Sequence, residues 1–139
     1  MKEVSLVFDG YWREVNKASI PEKTGIYCVY TCKYNSVEKT VSQLNLIYIG
    51  SSENVNNRVC THDRLSEWED YLKKGETLCY SYAQTEKKDM VHIEAALIFC
   101  HKPRFNDEYT KSYPYEDMKI SISGKASGLQ KLVQVSSEK

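Results

Sequence analysis

The chain has 139 residues, enough for a single domain (1–139) with one real core. Its 19 basic and 19 acidic residues cancel, which argues against tight non-specific gripping of nucleic acid but leaves room for a local basic cleft or a transient substrate. No run approaches the ~20 apolar residues of a membrane span, Met1 to Phe8 make no signal-peptide core, and the five cysteines include no C-x-x-C pair, so free thiols in a cytoplasmic protein are expected, with no membrane partner.

Residues 3–8 alternate and predict a strand, broken at Asp9-Gly10. Ser19 to Lys23 reads as a loop. Residues 25–32 are β-branched and aromatic and predict the next strand. The polar stretch 33–45 reads as a long hairpin loop with a turn at Asn35-Ser36, and residues 46–49 as a strand ended by Gly50. Ser51 or Ser52 then offers a helix N-cap, with Glu53 in the first turn. Val55, Arg58, Val59 and His62 follow at i, i+3, i+4 and i+7, one helical face.

Leu65, Trp68 and Leu72 predict a second short helix closing at Gly75, and residues 77–83 a third strand. Thr85 can cap a longer helix to about His101, stopped by Pro103. Residues 119–122 and 129–135, on either side of Gly124 to Gly128, predict a weak hairpin, and the final Ser136 to Lys139 are expected to fray. Strands and helices of this kind suggest an α+β fold, a small mainly antiparallel sheet with helices on it.

Several side chains carry chemistry. If residues 25–32 and 46–49 pair as a hairpin, Tyr27 and Tyr48 can point to one side, either to flank a phosphate or to pack as cross-strand neighbours. Arg58 and His62, one helical turn apart at the edge of the face pinned by Val55 and Val59, can supply a phosphate-binding guanidinium and a proton relay, or merely snorkel and pack. Glu94 interrupts an apolar helix stretch, Val91 to Ile98, and a carboxylate there needs a partner. A divalent cation is one, and an ion pair with Arg58 or Arg104 is the other. Asn106, after the stop at Pro103, can orient water or phosphate or simply make a turn.

Taken in order, Gly25-Ile26-Tyr27, Tyr48-Ile49-Gly50, Ser52, Asn54, Arg58, His62, Glu94 and Asn106 resemble the GIY-YIG nuclease superfamily. The resemblance runs from about residue 22 to 108 and leaves 1–20 and 111–139 as unassigned extensions. It implies a three-stranded antiparallel sheet flanked by helices. It also implies hydrolysis of nucleic-acid phosphodiesters, with DNA the expected substrate and one divalent cation, Mg²⁺ or Mn²⁺, as cofactor.

Carried over, Tyr27 is the general base or passes on the water's proton, His62 assists it, Glu94 holds the metal, and Arg58 stabilises transition-state charge. Tyr48 and Asn106 position water and phosphate, and Ser52 and Asn54 belong to the substrate-binding stretch. The alternative is a silent module that keeps the fold and binds nucleic acid or protein. A homodimer or partner subunit is left open.

Overall fold

The computed structural model describes residues 1–137; Glu138 and Lys139, on which part of the fraying expectation falls, lie outside the described residues. Six strands form one mixed sheet in the order β3-β2-β4-β1-β5-β6. They are β1 (Lys2–Arg13), β2 (Gly25–Asn35), β3 (Thr40–Ser52), β4 (Glu76–Gln84), β5 (Met118–Gly124) and β6 (Leu132–Val135). The helices are α1 (Val55–Cys60), α2 (Leu65–Tyr71) and α3 (Lys87–His101), with a 3₁₀ turn at Glu14–Ser19.

This corrects the expectation of a small three-stranded sheet flanked by helices. β2 lies antiparallel between β3 and β4, but β1 adds to the far side of β4, and β5 pairs with β1 in parallel from Lys2↔Met118 to Phe8↔Gly124. The reason is burial. Leu6 and Phe8 of β1 and Met118, Ile120 and Ile122 of β5 belong to the same apolar cluster as Ile26, Cys28 and Tyr30 of β2. A three-stranded sheet would leave those side chains wet. The residues 1–20 and 111–139 therefore contribute strands to the sheet itself.

Strand ends also shift. β1 runs through Asp9-Gly10 to Arg13, absorbing the glycine as a register irregularity between Gly10 and Trp12. The polar stretch 33–45 is mostly strand, because β2 and β3 stay paired out to Asn35↔Thr40, and Gly50 lies within β3 rather than after it. Asn54, not a serine, caps α1 by accepting from the Asn57 amide at 3.1 Å. Thr85 does not cap α3; Glu86 occupies that position.

The sheet has two apolar faces. One packs against α3 through Ile93, Ala96 and Leu97, with Cys28, Tyr30 and Ile49 from the sheet. The other is covered by α1 and α2, with Val55, Val59 and Trp68 set against Tyr27, Val29 and Tyr80. β3 is an edge strand, so the two faces meet along its outer side. All five cysteines are free thiols, and Cys28, Cys32 and Cys79 are buried.

Candidate active site

Strand alternation sends Tyr27 and Tyr48 to the face of α1 and α2, where their ring centroids lie 6.2 Å apart. Tyr27 is 1% exposed. Its hydroxyl has room only because Gly50, its cross-strand partner, lacks a side chain; a Cβ there would fall onto Tyr27 Cζ and OH. Gly25 is required for a similar reason, since its Cβ would meet the Ala83 carbonyl and the Tyr82 ring. Each tripeptide thus pairs a tyrosine with a glycine that permits close backbone approach.

His62 is not on α1. α1 ends two residues earlier, at Cys60, with Thr61 as its C-cap, whose amide and hydroxyl both donate to the Asn57 carbonyl, at 3.1 and 2.7 Å. The imidazole is instead walled by Trp68 (4.4 Å between centroids) and Tyr48 (5.4 Å). Its Nε2 lies 2.9 Å from the Tyr27 hydroxyl. Burial, helped by the Arg58 charge, lowers His62 to about 4, so the ring is neutral at pH 7.

The Arg64 amide donates to His62 Nδ1 at 3.1 Å. A neutral ring that accepts at Nδ1 carries its hydrogen on Nε2, a tautomer assigned from its partners. His62 therefore donates to the Tyr27 oxygen. Burial pushes the Tyr27 phenol above its usual range, and the Arg58 guanidinium beside it pulls the other way. Arg58 itself pairs with the exposed Asp63 at 3.0 Å.

Glu94 approaches the same strand from α3. Ser51, on the opposite face of β3 from Gly50, donates to Glu94 Oε1 at 2.6 Å. Burial raises the carboxyl to about 7, against the lowering effect of the Ser51 bond. The ion pair weighed as the alternative partner is not the one formed, since Arg58 holds Asp63 and Arg104 lies over the Tyr71 ring.

Tyr48 from one face and Glu94 from the other line a common cleft of about 360 Å³ at the β3 edge, together with Arg64, Asn106 and Tyr109. Asn106 shapes this edge. Its Oδ1 accepts from the Ile49 amide at 3.0 Å and its Nδ2 donates to the Ile49 carbonyl at 2.9 Å, imitating a neighbouring strand. Phe105 continues the clasp by donating its amide to the Ile47 carbonyl at 3.0 Å.

Tyr48 and Glu94 thus share the cleft at the β3 edge, with the buried Tyr27–His62 pair packed against Tyr48 and Arg58 beside the Tyr27 phenol. Ser52 and Asn54 are engaged locally: Ser52 Oγ bonds the Asn54 amide and carbonyl, each at 3.0 Å, and Asn54 caps α1. Sequence reading missed Ser51 as the Glu94 partner, and Arg64 and Tyr109 as lining. Strand alternation past Gly50 was the available signal for Ser51. Among the described residues no three His, Cys, Asp or Glu side chains form a metal-holding group, and no helix is long and apolar enough to cross a membrane.

No protein-family model matches the chain, and no solved structure does. It is similar to UvrABC system protein C of Petrotoga mobilis, 30% identical over 105 residues that cover 70% of this chain and 16% of that protein. It is also similar to UvrABC system protein C of Desulfotalea psychrophila, 32% identical over 106 residues covering 70% of this chain and 15% of that one. The chain therefore spans about a sixth of the length of the curated relatives it matches.

Proposed function

We propose that this chain is a GIY-YIG-type endonuclease domain that hydrolyses phosphodiester bonds of DNA with one divalent cation, Mg²⁺ or Mn²⁺. The observation that carries the reading is a hydrogen-bonded Tyr27–His62 pair with Arg58 beside the phenol, one strand in from the β3 edge where Tyr48 and the half-buried Glu94 line an open cleft. Similarity to part of UvrABC system protein C supports a nuclease-related domain.

The donor set fits a hard cation. Glu94, steadied by one hydroxyl, sits in an open cleft that Asp107 and Glu108 also line, and Mg²⁺ commonly takes one or two protein carboxylates with waters and phosphate oxygens completing the shell. Bound there, the cation supplies positive charge that favours ionised water and phenol and offsets the charge building on the phosphate.

The protein's own groups do the rest. Tyr27 first gives its phenol proton to solvent; water then attacks phosphorus, its proton passes to the phenolate oxygen, and the bond from phosphorus to the leaving oxygen breaks as that oxygen takes up a proton from solvent. The His62 Nε2–H bond stabilises the phenolate form of Tyr27 and fixes the direction of its lone pairs. Arg58 exchanges its exposed partner Asp63 for phosphate oxygens and stabilises the charge they develop. Tyr48 forms the cleft wall on the imidazole side, and Asn106 holds β3 in place.

The test is plasmid nicking with Mg²⁺ or Mn²⁺ by the full chain, Glu94→Ala and Tyr27→Phe. Metal-dependent nicking lost in both variants supports the reading. No cleavage of plasmid, branched or single-stranded DNA by the intact chain sinks it in favour of a silent binding module.

A further inference from the structure

The stretch 33–45 has no place in the site just described, yet it shapes a second concavity. The outer half of the β2–β3 hairpin and the β1 segment near Gly10 enclose about 420 Å³, lined by Tyr11, Arg13, Tyr34, Lys39 and Lys125 among others, with no carboxylate in the lining. In a chain of zero net charge this is a local concentration of cations.

Three features mark it out. The Arg13 guanidinium lies 3.6 Å over the Tyr34 ring centroid, which fixes its plane and leaves its N–H edge free for an oxyanion fork. Lys39 sits at the hairpin tip with φ 57°, a left-handed conformation that glycine or asparagine adopts more cheaply. Among the described residues Arg13, Lys39 and Lys125 form no ion pair, whereas Arg58 and Arg64 of the first site are each held by an aspartate.

Tyr34 lies seven residues beyond Tyr27 on β2, roughly 23 Å at ~3.3 Å per residue and on the other face by alternation, so only a long strand passing around the sheet edge can reach both sites.

We infer that this concavity, built by Arg13, Lys39 and Lys125, binds the phosphate backbone of the polynucleotide substrate at a distance from the bond to be cut. The inference rests on the nuclease reading for the identity of the substrate, but binding can be measured without cleavage. The second contact lets a neutral protein hold a long substrate while a short fragment is released.

Fluorescence anisotropy with labelled DNA of about 6 and about 24 nucleotides, single- and double-stranded and without metal, tests it on the full chain. The intact protein should bind the long probes more tightly than the short ones. Lys39→Ala/Lys125→Ala should bind long duplex about tenfold more weakly near 50 mM salt, with a salt slope shallower by about two. The charge-matched control Lys74→Ala/Lys88→Ala, on exposed lysines elsewhere, should keep the length preference. Lys39→Gly should fold more stably yet bind long probes less well, which separates a binding role from a structural one.

If the intact chain cuts DNA but the Lys39/Lys125 variant keeps its affinity and salt slope, the second site is wrong and the nuclease reading stands. If the intact chain prefers long probes in a Lys39/Lys125-dependent way but cuts nothing, the second site stands and the catalytic reading falls. If no probe binds at any length, the second site is overturned outright.

Discussion

The Tyr27 hydroxyl and His62 Nε2 lie 2.9 Å apart inside a shell of Tyr48 and Trp68, with the imidazole as donor. Two groups that both titrate in water are here held neutral against each other, and that neutrality has measurable consequences.

Tyr27→Phe should cost cleavage about 10²–10⁴-fold, the usual weight of a positioned base. It should also leave the buried His62 Nε2–H without an acceptor, destabilising the fold by about 1–3 kcal/mol. Urea unfolding and nicking rates on one preparation check both. Wild-type stability in the variant would mean that the bond carries no energy.

Acid should weaken the fold through His62. Its folded value, about 4, lies below the unfolded ~6.5, so the unfolded chain takes up a proton that the folded one refuses. Stability then falls as pH drops from about 6.5 towards 4 and levels off below. In His62→Gln this part of the pH profile should flatten, as read from urea midpoints across that range.

Glu94 works in the opposite direction. Its folded value, about 7, lies above the unfolded ~4.5, so raising the pH from 4.5 to 7 ionises the unfolded chain first and costs stability. Metal-free Glu94→Gln should match the intact chain at pH 4.5 and exceed it by about 2 kcal/mol at pH 8, allowing for a partly wet carboxyl. Mg²⁺ or Mn²⁺ should stabilise the intact protein at pH 8 and leave the variant unmoved. Ser51→Ala should push the Glu94 titration higher, because it removes the bond that opposes burial.

Gly50→Ala should displace the Tyr27 ring, since the added methyl occupies the place of its Cζ and OH. The expected result is a folded but weakened protein with overpacking of about 1–3 kcal/mol. Its His62 should titrate nearer 6.5, seen by NMR, because the phenol no longer seals it from water.

Asn106→Ala should free the Ile49 amide and carbonyl at the strand edge. Hydrogen exchange at Ile49 should quicken, at a cost of about 1–3 kcal/mol. Asn106→Asp keeps the acceptor but sets a carboxylate against the Ile49 carbonyl, and should rescue the amide's protection only in part.

Much of the site could be read from the sequence because strand alternation is local. It put Tyr27 and Tyr48 on one side, and Glu94 announced itself as a charge among apolar neighbours. A 3.6-residue spacing carries His62 onto α1, whereas the helix closes at Cys60, a boundary that periodicity does not register. Ser51 was overlooked as a site residue because a serine after a glycine also suits a helix cap.

The sheet was underestimated for another reason. Polar alternation in 33–45 and the glycines at 10 and 50 look like breaks, and only pairing with a partner turns them into strand. The parallel pairing of β1 with β5 joins residues more than a hundred positions apart, which no window of local pattern can register.

That parallel pairing also sets an order of assembly. β1 is the fourth strand of the sheet, between β4 and β5, although it is the first to be synthesised. On a ribosome it must wait for residues 76–84 to cover one side and for residues 118–124 to cover the other. Until then its backbone donors and acceptors face solvent as an open template for any extended chain. The sheet closes late and through long-range contacts, a topology that folds slowly. A chain arrested before residue 118 would expose one whole side of β1, and its characteristic failure would be self-association along that strand.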